Sequence, residues 1–320
     1  MPSLIARHAA WPAIALAAAL TLSPWGGAAV GLVLGIVIAL TLGNPLSAYS
    51  GPVARHLLAV AIVCLGAGMD LWLALKVGVH GIGYTAAGIL LAFALGLMLA
   101  QRLKVSQNLS LLIISGTAIC GGSAIAAIAP VLRARDHEIA LAIACVFLLN
   151  ALALLCFPPI GHALGMSPEH FGLWAALAIH DTSSVVGAAA SYPEPALEIA
   201  TAAKLARALW IAPLALLLAR VIAVHESTEV KPPRVSIPWF IPGFVAAAAL
   251  VAWLPVLKPV GLQLAALGKH GLALALLLIG LNLKASTLRS LGYGPALLAV
   301  VLWVVLASAT LLAIQIGWID

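Results

Sequence analysis

Three short stretches of this sequence carry side chains that could bind or move a charge. "AIHDTSSVVGAAASY" (178–192) collects His180, Asp181, Thr182, Ser183 and Ser184; "SGTAICGGSAIAAIAP" (115–130) holds Thr117, Cys120, Gly121, Gly122 and Ser123; "KLAR" holds Lys204 and Arg207. At helical spacing His180, Ser183, Ser184 and Gly187 share one face, and Asp181 and Thr182 point elsewhere unless the helix unwinds. His180 is able to exchange a proton near neutral pH, with Asp181 fixing its tautomer or pairing with a cation. The plainer role for Asp181 or Thr182 is to cap a half-helix. Lys204 and Arg207 lie one helical step apart. From a start near Pro195 they fall roughly 13 and 18 Å along the axis, close to the middle of a ~30 Å hydrocarbon core. Two cations, one with a bidentate fork, suit an oxyanion; the alternative is a static salt-bridge network with Asp181, Asp70 or Glu198.

The glycines of 115–130 weaken a helix. A break there would turn free amides toward an anion, or else the small residues serve close helix packing. The candidate binding set is therefore Cys120, Gly121, Gly122, Ser123, His180, Asp181, Thr182, Ser183, Lys204 and Arg207. Candidates for coupling to H+ or Na+ are His180, Asp181, Asp70 and Asn282. Asn150 is expected to make an interhelical hydrogen bond.

The elements that must position these groups follow from composition. The chain has 320 residues, 64% hydrophobic and 8% charged, with a mean hydropathy of +1.16. Soluble domains are about a quarter charged, so an all-α polytopic membrane protein is expected. About eleven segments approach the roughly 20 residues a spanning helix needs: 9–23, 26–43, 54–75, 79–101, 108–131, 137–158, 168–191, 196–222, 238–257, 267–285 and 291–317. The chain reads as one transmembrane domain, 1–320, with a cytoplasmic linker near 224–237. The bias of Lys and Arg puts the N-terminus inside, with Arg7, Arg55, Arg102, Lys104, Arg220, Lys231, Arg234, Lys284 and Arg289 on the inner side. Lys76, Arg133, Arg135, Lys258 and Lys269 then fall outside. Trp11, Trp25, Trp239 and Trp318 read as interfacial anchors.

An offset of 60 residues lays "AICGGSAIAAIAP" over "AIHDTSSVVGAAA" and Glu138 over Glu198, with 10 identities in 37 positions across 118–154. An offset of 212 lays "GMDL" at Gly68 over "GLNL" at Gly280. Two structural repeats with broken, crossing helices are expected, the second copy permuted, as in secondary transporters. Parity resists this: segments 5 and 7 run parallel if both, and the helix between them, cross the membrane.

Motifs for nucleotide, zinc-protease or serine-hydrolase chemistry are absent. Four cysteines without a CxxC suggest no disulfide framework and no metal, and a net charge of +6 in so apolar a chain reads as loop bias rather than nucleic-acid binding. No enzyme activity and no cofactor are expected.

"SGTAICGGSAIAAIAPV", "GHALGMSPEHFGLWAALAIHDTSSVVGAA" and "AAKLARALWIAPLALL", together with "GAGMDL" and "IGLNLK", closely resemble the bacterial YeiH-like family, whose members carry the label of sulfate exporters. Where that family commonly has C-G-A-S this chain has Cys120-Gly121-Gly122-Ser123, and where many have H-E-T it has His180-Asp181-Thr182. The resemblance implies a multi-pass transporter of the bacterial inner membrane. Together with the two cations it implies alternating access around a midplane site for a small anion, sulfate or a related sulfur oxyanion or sulfonate. The other readings are a passive anion channel and an H+- or Na+-coupled carrier of a small organic acid. A homodimer is compatible with all of them.

Overall fold

A computed structural model describes residues 4–226, 238–283 and 291–319, and every regular element among them is helical. In hydrocarbon a backbone must satisfy its own hydrogen bonds, and a helix does so within one segment. In chain order the helices are α1 (Leu4–Leu22), α2 (Ala28–Thr41), α3 (Ser50–Gly66), α4 (Leu71–Arg102), α5 (Gln107–Ala118), α6 (Gly122–Ile128) and α7 (Asp136–Ala163). There follow α8 (Pro168–Ala178), α9 (Thr182–Ala189), α10 (Ala196–Ala208), α11 (Ile211–Glu226), α12 (Phe240–Trp253), α13 (Lys258–Leu281) and α14 (Tyr293–Gln315). The expected linker, from residue 227 onward, lies outside the described residues, as do Lys231, Arg234, Lys284 and Arg289.

Where the sequence suggests eleven spans, five stretches among the described residues are by themselves long and apolar enough to cross a bilayer: Gly81–Arg102, Asp136–Ala163, Ala196–Ile222, Pro255–Leu281 and Tyr293–Gln315. Taking α3 and the start of α4, bent by 112°, as one span makes six. Two causes account for the difference. The apolar stretches Ala9–Leu22, Ala28–Thr41 and Phe240–Trp253 are shorter than 18 residues, so each rises less than about 27 Å. Segments 5 and 7, in addition, are not single helices.

Each of these two segments breaks and turns back. A Cβ on Gly116 of α5 would lie 3.0 Å from the Ile125 side chain of α6. Ser106, which precedes α5, donates its hydroxyl to Glu138 Oε1 (3.0 Å) in the first turn of α7. The α5–α6 hairpin therefore leaves at the end where it came in. The α8–α9 hairpin does the same: Tyr192, beyond α9, stacks on Phe171 with ring centroids 3.8 Å apart and donates its hydroxyl to the Met166 carbonyl (2.9 Å). Since α7 runs from the mouth of the first hairpin to that of the second, the two come in from opposite ends. The parity conflict disappears because neither segment crosses. One side assignment also changes: Arg133 and Arg135, expected opposite Arg102 and Lys104, lie at the same end, with Arg135 bonded to Glu138 (3.3 Å) beside Ser106.

Around the hairpins, helices meet in two ways. α2 and α3 press onto α13 at backbone distance: a Cβ on Gly35 would sit 2.2 Å from the Leu277 carbonyl, one on Gly280 2.5 Å from that of Leu32, and one on Gly268 2.8 Å from that of Ala61. α4, α7, α10 and α14 instead enclose the hairpins with ordinary side-chain packing, through Ile113, Ile125, Val146, Leu205 and Leu302 on one side and Leu154, Phe171, Trp174 and Ala200 on the other. Trp11, Trp25, Trp239 and Trp318 are all exposed on the outside of the bundle.

Candidate functional site

The hairpin tips touch. Gly121 has φ +66°, and a Cβ there would lie 3.3 Å from that of Asp181, so the first tip needs glycine for both its backbone and its neighbour. The second tip, Ile179–Asp181, is held by Asn150 of α7, whose Oδ1 accepts from the amides of His180 (3.0 Å) and Asp181 (3.3 Å). Asn150 thus serves a broken backbone rather than another helix's side chain. Asp181 is the N-cap of α9 and accepts from the amide of Ser183 (3.0 Å) and from its hydroxyl. This is the plainer of the two roles the sequence suggests for it.

His180 lies in the break itself, not on a helix face with Ser183, Ser184 and Gly187. It is 1% exposed, and neither ring nitrogen has a hydrogen-bond partner among the described residues; Thr117 Oγ1 and Asn150 Nδ2 are likewise unpartnered and buried. Thr182 opens α9 and is buried, and Cys120 is buried in the first tip.

Lys204 and Arg207 are buried inside the bundle, at 0% and 2% exposure. Their hydrogen-bond partners are backbone carbonyls rather than carboxylates, although Arg207 also lines a separate, mostly apolar cavity with Tyr84, Leu177 and Thr310. Lys204 Nζ donates to the carbonyls of Ile119 (3.0 Å), Ala176 (3.3 Å) and Ile179 (2.7 Å). Arg207 donates to Ala118 through Nε (2.9 Å) and Nη2 (2.5 Å), to Leu177 through Nη1, and at 3.5 Å to Thr117 and Ala176. These carbonyls are the last ones of α5 and α8, which have no intrahelical donors. The alternative of a static salt-bridge network is not formed: among the described residues no carboxylate pairs with either cation.

On the other side of the tips lies a cavity of about 400 Å³ between the hairpins and the starts of α3 and the end of α13. Its polar lining is Arg55, Ser123, Asp181, Ser183 and Asn282, with the backbone of Gly122 and the ring of Phe147. Asn282 is held in place by Ser50, whose hydroxyl donates to its Oδ1 (2.7 Å), and by its own Nδ2 bond to Leu278 (2.8 Å). Of the predicted set, Gly122, Ser123, Asp181, Ser183 and Asn282 face this space, whereas Cys120, Gly121, His180, Thr182, Lys204 and Arg207 lie behind it. Asp70 is elsewhere: it caps α4 by accepting from Trp72 (2.8 Å) and Leu73 (3.0 Å), and its amide bonds to Glu198 in the first turn of α10. Arg55 is a site residue that sequence reasoning takes for an ordinary interfacial cation; the signal is its place one turn inside an apolar helix.

The tips present two helix C-termini and two N-termini, each equivalent to roughly half a charge and cancelling as a set. Lys204 and Arg207 against Asp181 leave an excess of positive charge beside a cavity with Arg55 at its wall. Ser123 and Ser183 can each orient a hydroxyl toward a bound oxygen.

No solved structure matches this chain. It is 49% identical over 307 residues to a UPF0324 membrane protein of Bdellovibrio bacteriovorus, covering 96% of this chain and 94% of that one. It is 43% identical over 291 residues to a UPF0324 membrane protein of Bacteroides thetaiotaomicron (90% and 86% covered) and 41% identical over 300 residues to one of Geobacter sulfurreducens (94% of each). The model of the family described as "Conserved hypothetical protein 698" matches residues 7–299. With its apolar helices and this coverage, the chain is a membrane protein of that YeiH-like, UPF0324 family.

Proposed function

We propose that this protein is a secondary transporter of a small anion, bound in the cavity between the hairpin tips and the α3–α13 pair and released by alternating access. The observation that carries the reading is the meeting of two hairpins from opposite ends of the bundle at a cavity whose otherwise apolar wall carries Arg55, Asp181, Ser123, Ser183 and Asn282. Discontinuous helices at the midplane are how transporters expose backbone to a substrate without exposing it to lipid. Sulfate, sulfite, sulfonates and small carboxylates are the first candidates, and H+ and Na+ the first coupling ions.

The reading includes two inverted copies of one unit within one transmembrane domain. It is supported by the 60-residue echo, which overlays α5–α6–α7 on α8–α9–α10. In both, a helix breaks at a polar tip and returns, and the next helix carries Glu-Ile in its first turn. The cavity lies at the end carrying Arg55, Arg102, Lys104, Arg133 and Arg135, which by the positive-inside bias is cytoplasmic. An enzyme is disfavoured because Ser183 donates to Asp181 and no described residue joins it to His180 as nucleophile to base.

Counterflow of labelled sulfate in proteoliposomes tests this, with unlabelled sulfite, sulfonates and carboxylates as competitors. Saturable exchange, lost in Arg55→Ala and Asp181→Ala, is expected. Anion current that follows the Nernst potential without saturation would make the protein a channel, and folded protein that exchanges none of these anions would overturn the anion reading.

A further inference from the structure

Two C-terminal carbonyl sets converge at the midplane from opposite ends: Thr117, Ala118 and Ile119 from α5, and Ala176, Leu177 and Ile179 from the end of α8. Such a cluster of unpaired, aligned carbonyl dipoles in a buried place attracts a cation, and carbonyl rings of this kind take the place of an ion's water shell in cation filters. Here the cations are side chains. Lys204 has three N–H donors and meets three carbonyls at 2.7–3.3 Å, so its ammonium is saturated by backbone alone. Arg207 spreads its planar fork over the remaining carbonyls of both helices. Both side chains come from one helix, α10, which belongs to neither hairpin turn, and both are withdrawn from the cavity.

We propose that the place where the C-terminal ends of α5 and α8 meet is a monovalent-cation site occupied by tethered cations: the Lys204 ammonium stands where a free ammonium- or potassium-sized ion would bind, and the Arg207 guanidinium occupies its neighbour. The protein then carries its own counter-ions for the two helix C-termini and needs none from solution to hold the hairpins together. Truncating Lys204 uncovers a site for small primary ammonium ions, and truncating Arg207 one for guanidinium. This inference concerns what holds the tips and stands whatever the cavity carries.

The test is thermal unfolding of purified protein in detergent at constant ionic strength, with choline as the balancing cation. Lys204→Ala is expected to melt below wild type, and millimolar methylammonium or ammonium to raise its melting temperature saturably toward the wild-type value, while wild type does not respond. Arg207→Ala is expected to respond to millimolar guanidinium and not to methylammonium. Lys204→Met keeps the stem and removes the charge; it is expected to melt low and, with its space filled, to be rescued by neither ion. A Lys204→Ala protein no more responsive to small cations than wild type would overturn the proposal. Should Lys204→Ala fail to fold, Lys204→Met decides: a wild-type melting temperature overturns the proposal, and a low one supports it.

Discussion

The α2–α3–α13 group and the hairpin pair are both held by close contacts, but by opposite means. In the first, glycines remove side chains so that backbones touch: Gly35 against Leu277, Gly280 against Leu32, Gly268 against Ala61. Every backbone hydrogen bond stays inside its own helix, and the contact is dispersion and shape. In the second, two helices stop halfway, and the carbonyls they orphan are satisfied from outside by Lys204, Arg207 and, for the amides, Asn150. The first group is a solid of closely approaching backbones. The second is a joint whose strength is concentrated in a few charged hydrogen bonds. The cavity lies on the boundary between the two, with Arg55 and Asn282 from the first and Ser123, Asp181 and Ser183 from the second.

If that contrast holds, the largest stability loss comes from the joint. Arg207→Met removes the donors to the Ala118 and Leu177 carbonyls at once and leaves them buried, a loss on the order of 3 kcal/mol or more. Denaturation of the variant beside wild type in mixed micelles measures it; a change under about 1 kcal/mol would mean that water or backbone adjustment replaces the guanidinium. The next effect is steric. Gly280→Ala puts a methyl 2.5 Å from the Leu32 carbonyl and 2.9 Å from the Ile36 amide, backbone atoms that cannot rotate away, so α2 and α13 must separate at a cost of about 1–3 kcal/mol. An unaffected variant would show that the group is looser than its backbone contacts indicate.

How much of this the sequence displays depends on the range of each interaction. The breaks are legible, because Gly121-Gly122 and His180-Asp181-Thr182 are local signals, and Asp181 as an N-cap is read from its type alone. That Lys204 and Arg207 lie deep is legible from helix length. Their partners are not: a backbone carbonyl has no signature in the sequence, so two buried cations suggest carboxylates or a substrate, whereas the acceptors are the ends of α5 and α8. The turning back of both segments is equally invisible, since it rests on Ser106 meeting Glu138 and Tyr192 meeting Phe171 and Met166, contacts that no periodicity encodes. Arg55 escapes for the same reason: its wall of the cavity is assembled from α6, α7 and α13.

The smallest stability effects offer the sharpest test, because two aspartates have the same local task at different places. Asp70 caps α4 through Trp72 and Leu73, and Asp181 caps α9 through Ser183. Replacing either by Ala removes one cap and costs about 1 kcal/mol, and replacing either by Asn, itself a good cap, costs a few tenths. Their surroundings differ: Asp181 lies on the cavity wall, and Asp70 sits beside Glu198 in the first turn of α10, away from it. In Asp70→Asn, exchange in proteoliposomes should therefore match wild type. In Asp181→Asn the fold should be kept and exchange lost or altered in its substrate preference, because the change there is to the charge a guest meets rather than to the helix. If both variants lose exchange equally with their stability intact, the division between joint and solid is drawn in the wrong place, and the α4 end would have to be counted with the moving parts of the site.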